Sequence, residues 1–252
     1  MRLSHGWSKA VPVFDDERLV SLAGLVPVLG LAERAGLSEL IDATVVIGPA
    51  ATRVASAGVN PVGKLTSIIG GMAAGADSID DLDVIRSGGM GRIFARVYAS
   101  ATLGQFLREF THGHALQLAS VLRAHLVNLV ACSGMLPGIE EQAFIDIDSL
   151  LRPVYGKSKQ GASFGHTKIA SRQVLRKGLS PLAATISTTR GAPVVAGIRL
   201  RAGKAGSGRG AASMLREAIR LARAAGATGQ ILTRGDSSLS RFPCKPEVTL
   251  RN

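Results

Sequence analysis

Asp146 and Asp148 stand two residues apart in Ala143-Phe144-Ile145-Asp146-Ile147-Asp148, a run otherwise made of apolar and aromatic side chains. On a strand the period of two puts both carboxylates on one face. Asp is depleted in strands and two like charges on one face repel, so the pattern asks for a cation. A further carboxylate, Asp236, ends another apolar run, Gln230-Ile231-Leu232-Thr233-Arg234-Gly235-Asp236. Neighbouring strand ends bring distant residues together at one sheet edge. Carboxylates meeting there can hold two Mg²⁺ or Mn²⁺ ions roughly 3.5–4 Å apart, one activating water or a 3′-hydroxyl and the other stabilising the leaving oxygen. The local alternative is that Asp148-Ser149 caps a turn and Asp236-Ser237 a helix. Spacing by itself leaves both open.

The cations follow the same division of the chain. Residues 1–151 carry 11 Lys and Arg against 15 Asp and Glu, whereas residues 152–252 carry 19 against 3. The halves are about −4 and +16, so the second half is expected to face a polyanion, with nucleic acid the commonest. An anionic membrane surface competes poorly, because these cations are spread over strands, loops and a helix. Two segments concentrate them. Tyr155 to Lys168 offers Lys157, Lys159, His166 and Lys168 with hydroxyls and two aromatic rings, suited to phosphate contact unless it is a solvated hairpin. Gly203 to Gly210 places Lys204 and Arg209 among glycines ahead of a helix, a flexible basic loop able to follow a phosphate backbone, or else a plain linker.

Other candidates have simpler explanations. His112 and His114 suit a metal only on a strand, and their surroundings read as a helix junction, which makes them surface or capping residues. Asp77, Asp80, Asp81 and Asp83 lack the spacing and glycine of an EF-hand loop and are explained by a helix N-terminus. Cys132 and Cys244 are too few for a disulfide framework or zinc site, which fits a reducing cytoplasm. The start lacks an export signal, and the longest apolar stretch, Leu116 to Met135, is interrupted by Arg123, His125 and Asn128, so no membrane span is expected.

The elements that must position these residues fall into two textures. From Glu17 to about Gly138 apolar residues return every three or four positions, giving five or six helices. Asn60-Pro61 marks one start, Asp77 and Ser78 cap a short helix to Ile85 that Gly88-Gly89 ends, and Ser100 or Thr102 caps Leu103 to Phe110. From Glu140 the pattern predicts strands over 143–148, 182–188 and 193–200, the last two joined as a hairpin at Arg190-Gly191-Ala192. A helix over 211–225 and a strand over 230–234 follow. Together these predict an α/β chain: a helical N-terminal domain, about 1–140, then a mixed-sheet domain, about 141–252.

Four ordered segments resemble bacterial insertion-sequence transposases of the group numbered thirteen-eighty, over about Asp15 to Ser240. They are Gly75 to Arg86 with Ser100 to Arg108, then Ile145-Asp146-Ile147-Asp148-Ser149, Lys159 to His166, and Arg234-Gly235-Asp236-Ser237. The resemblance implies an RNase H-like catalytic domain with an Asp, Asp, Glu triad that cuts and joins DNA on Mg²⁺ or Mn²⁺. It implies that Asp148 is the first Asp, with Asp146 as fallback, and that Asp236 is the second. It further implies transposon-end and target DNA as partners, a second copy of the chain as a candidate partner, and a nucleoid-associated place in the cytoplasm. Leu150 stands where the matching signature usually has Thr. Nothing corresponds to the family's Glu, since Glu247 follows Asp236 by only eleven residues in an unlike, Pro-bounded tail, so the RNase H-like domain is expected to be incomplete. Two other readings stand beside a truncated transposase: a non-catalytic DNA-binding remnant of a decayed element, and a compact nuclease that completes its site with Asp146 or Glu247.

Overall fold

The computed structural model describes residues 18–48, 58–94, 96–149, 151–156, 159–169, 172–206, 208–235 and 249–250. In chain order they form α1 (Leu25–Arg34), α2 (Leu37–Thr44), α3 (Pro61–Ala73), two 3-10 segments (Asp80–Arg86 and Gly88–Arg92), α4 (Ser100–Arg108) and α5 (His112–Ser133). Then come β1 (Gln142–Ser149), β2 (Arg152–Pro153), β3 (Ser163–Ile169), β4 (Arg172–Leu179), β5 (Leu182–Thr188), β6 (Gly191–Arg199), α6 (Ala211–Ala224), β7 (Gln230–Gly235) and β8 (Thr249–Leu250). The fold is mixed α/β, as the sequence predicts, and the strands near 143, 182, 193 and 230 and the helix at 211 are all present.

The chain divides into two compact units, and not at residue 140. One comprises the described residues of Met1–Gly30 and Val46–Phe110, the other those of Leu31–Val45 and Thr111–Asn252. The reason is tertiary. Helix α5 packs against α2, β6 and α6, so both α2 and α5 belong with the sheet.

In the first unit, Asn60 caps α3 by accepting the Gly63 amide on its side chain at 3.1 Å, with Pro61 at the first helical position. The Asp81 carboxylate accepts both the amide (3.1 Å) and hydroxyl (2.6 Å) of Ser78, while the Asp81 amide donates to that hydroxyl. The Ser78 hydroxyl holds the Asp81 carboxyl below the usual carboxylate range. The short helix expected to end near Ile85 is a 3-10 segment that ends at Arg86, and Gly88 opens a second one. Helix α4 starts at Ser100 after Ala99, without a side-chain cap, so neither Ser100 nor Thr102 serves as the expected N-cap. Leu25, Ile85 and Met90 form one core cluster and Leu82, Tyr98 and Leu103 another. Lys64 is buried beside them, its ammonium 5.7 Å from the Tyr98 ring centre and 5.4 Å from that of Phe106, and burial lowers its pKa from the ordinary value.

The second unit is built on a five-stranded sheet of order β6-β5-β1-β7-β8. Strands β1, β5 and β6 are antiparallel neighbours, whereas β7 lies parallel to β1 and β8 parallel to β7. Alternation along β1 sends Ala143, Ile145 and Ile147 into the core. Helix α6 meets them with Ala211, Met214, Ala218, Leu221 and Ala222, a stripe at helical spacing whose small residues let the helix approach closely. Ile145 and Ile186 are fully buried, each contributing about 1.5–3 kcal/mol relative to exposure. Helix α5 adds Val121 and Leu126 to the buried residues.

By length and composition α5 is apolar enough to cross a membrane. Its polar residues nevertheless find partners within the unit: the Asn128 amide donates to the Ala35 carbonyl at 3.0 Å, His125 Nδ1 lies 3.3 Å from the same oxygen, and Arg123 faces Glu217 at 3.7 Å. Its start is a capping box in which His114 Nδ1 accepts the Thr111 amide at 3.0 Å, the capping role expected of that histidine.

Candidate functional site

The sheet puts Phe144, Asp146 and Asp148 on the face of β1 opposite the core, as the alternation predicts. The cation for Asp146 is a side chain. Arg234, directly opposite on β7, donates from Nε at 2.6 Å and from Nη2 at 2.8 Å, a bidentate pair, while its guanidinium lies 4.9 Å from the centre of the Phe144 ring. The Asp146 bond raises the Arg234 pKa from the ordinary arginine value. This is the local explanation for a strand carboxylate that sequence spacing does not supply, because the partner is 88 positions away and arrives only through the parallel register. Asp148 is exposed, and its Oδ1 accepts the Ser149 amide at 2.6 Å, the turn-capping contact weighed above.

The last described pair in the β1–β7 ladder is Ile147 with Gly235. Asp236, the next residue in sequence, lies outside the described residues, as do Lys157, Leu150, Cys244 and Glu247 and the side chain of Lys168. Among the described residues no three His, Cys, Asp or Glu side chains gather where they could hold a metal ion.

The basic segments singled out in sequence are brought together. Strands β2, β4 and β3 form a separate three-stranded antiparallel sheet, which begins three residues after β1 ends. The basic stretch from Tyr155 to Lys168 runs into β3, and β4 is not legible: Arg172, Gln173, Leu175 and Arg176 are exposed on both faces, so no apolar alternation marks it. On one face Gly165 and Gly178 are buried against the loop at Gly203; a Cβ at Gly165 or Gly203 would overlap the other strand's or loop's backbone. The Lys204 amide donates to Ser163 Oγ at 2.8 Å, fixing the loop to β3.

That loop is also tied from within. Arg201 is 9% exposed, and its guanidinium donates to the carbonyls of Ser180 (3.0 Å), Gly206 (3.2 Å) and Arg209 (2.7 Å) and to the Ser180 hydroxyl (3.3 Å). Burial, and secondarily the charge of Arg209, lowers the Arg201 pKa from the ordinary value. The stretch expected to be flexible is therefore a braced turn that presents the exposed Lys204 and Arg209. Lys159 and His166 are exposed as well, and Arg152, Arg172 and Arg176, not singled out in sequence, join them. The signal that could have found them is plain: between Asp148 and Glu217 the chain contains no Asp or Glu.

Comparison with known proteins returns no matching family model, no similar curated protein and no similar solved structure.

Proposed function

We propose that the chain carries the metal-and-DNA surface of a DDE-type transposase, acting in strand cleavage and transfer on DNA. The observation that supports this most is the parallel pairing of β1 with β7. The C-terminal ends of two neighbouring parallel strands lie at one sheet edge, where their carboxylates can share ions, and a helical crossover through α6 gives β7 that position beside β1. An RNase H-like reading of the sheet, three antiparallel strands followed by a helix and a parallel strand beside the first, rests on the same order. Asp148 is exposed and fits a metal ligand, whereas Asp146 is held by Arg234 and does not. Asp148 and Asp236 would hold Mg²⁺ or Mn²⁺, which would supply activation of the attacking oxygen and stabilisation of the leaving one. The acid-free run from residue 149 to residue 216 would hold the phosphate backbone.

The pairing of Asp146 with Arg234 favours a second reading, a non-catalytic DNA-binding remnant of a transposable element, because it leaves one uncommitted carboxylate on β1. Manganese binding measured by electron paramagnetic resonance separates them. The transposase reading expects bound Mn²⁺ that is lost in both Asp148→Asn and Asp236→Asn; binding indifferent to Asp148 sinks it. Both readings expect duplex DNA binding whose log K falls against log salt with a slope of about −5 if six phosphates are neutralised. Lys204→Ala with Arg209→Ala should make that slope shallower by about two.

A further inference from the structure

We propose that the open face of the three-stranded sheet is a stacking surface for unpaired DNA bases, with Phe164 as its platform. The inference rests on the DNA-processing reading above and adds which form of DNA this face takes. In an antiparallel sheet directly paired residues share a face. Phe164 pairs with Lys177, His166 with Leu175 and Arg152 with Leu179, so these six residues lie on one side. Gly165 and Gly178 belong to the other side, which the Gly203 loop covers.

The open side exposes apolar groups that a solvated hairpin has no reason to show. Phe164 is 61% and Leu175 56% exposed; Tyr155, two residues beyond β2 and in no strand pair, is 82% exposed. Tyr155 is beside Phe164's pairing partner, since Lys177 Nζ donates to the carbonyl of the adjacent Gly156 at 3.5 Å. Arg152 and His166 are exposed on the same side, within a chain segment that contains 13 Lys and Arg and no acid from residue 149 to residue 216. Exposed rings interleaved with cations fit a strand whose bases stack while its phosphates meet the charges. A duplex cannot use the rings, because its base faces are already stacked and its grooves offer polar edges. An acidic peptide would satisfy the cations and leave the rings unused. Arg152 follows Asp148 by four residues, so at most about 14 Å of chain separates the platform from the carboxylate end of β1. Unpaired bases held there would lie next to the strand that the metal-bound carboxylates address.

The test measures anisotropy of fluorescein-labelled oligothymidine and of a duplex of equal length with the full chain, wild type, Phe164→Ala and Phe164→Trp. Phe164→Ala should weaken oligothymidine binding about tenfold, as expected for loss of one base-stacking ring, and change duplex binding less than twofold. Phe164→Trp should keep the affinity and show indole quenching on oligothymidine beyond that of the wild type, which confirms a folded platform in contact with bases. Equal loss on both DNAs, no loss on oligothymidine, or equal binding of an abasic strand or polyglutamate would overturn the inference. Duplex binding with Phe164 silent removes this inference alone, whereas no binding of either DNA removes the DNA-processing reading with it.

Discussion

Replacing Arg201 by Met tests whether the basic loop is a built surface. Among the described residues the guanidinium donates to the carbonyls of Ser180, Gly206 and Arg209 and to the Ser180 hydroxyl. Hydrogen bonds to a charged group contribute about 1.5–3 kcal/mol each, which would sum to roughly 6 kcal/mol or more. The charge is itself desolvated at 9% exposure, and removing it relieves that cost. The net loss should therefore be about 2–4 kcal/mol, or roughly 5–15 °C in melting temperature for a unit of this size. Arg201→Lys should recover little, because one ammonium cannot span carbonyls from residue 180 to residue 209 as a planar fork does. Urea denaturation with limited proteolysis across residues 203–210 reads both consequences. A loss below about 0.5 kcal/mol with unchanged proteolysis, the size of an ordinary surface change, would refute the bracing role.

Two further outcomes follow from charged groups. For Asp146 and Arg234, side-chain exposures of 35% and 53% mean that solvent screens the pair, so a double-mutant cycle with Asp146→Asn and Arg234→Met should give a coupling of about 1 kcal/mol; a coupling near zero would remove the pair as a net contributor to the β1–β7 contact. Burial holds the folded pKa of Lys64 below the ordinary lysine value of 10.5, so the folded state binds fewer protons than the unfolded state as pH approaches that value from below. The first unit should gain stability as pH rises toward about 10.5 and lose that gain as pH falls through the lowered folded value; Lys64→Met should flatten this dependence, and an unchanged profile in urea melts would remove Lys64 as its source.

The parts of the fold that could be read in sequence are those where one face is buried and the other is not. Ala143, Ile145 and Ile147 alternate with Phe144, Asp146 and Asp148, and the Ala211, Met214, Ala218, Leu221 stripe repeats at helical spacing, so β1 and α6 announce themselves. Strand β4 does not, because neither of its faces is a core face along most of its length. Its hydrogen bonds to β3 and β2 hold it, and periodicity carries no record of them. The unit boundary was hidden for a related reason. The apolar pattern of α5 says that it packs on something, and only the tertiary structure supplies β6 and α6 as that something.

The site divides along the same line. That two aspartates share a face of β1 follows from the pleat, and the acid-free run from residue 149 to residue 216 is legible from charge alone. What answers each aspartate depends on register, which is decided by which residues of β1 and β7 meet across 88 positions of chain. A slip of one residue would take Arg234 from opposite Asp146 and turn its side chain to the other face. The same register that neutralises Asp146 leaves Asp148 one residue beyond the last described pair, Ile147 with Gly235, where among the described residues its carboxylate meets only the Ser149 amide. A single geometric fact thus separates the two carboxylates, one paired across two strands and the other exposed, although in the sequence they are equivalent by type and by face.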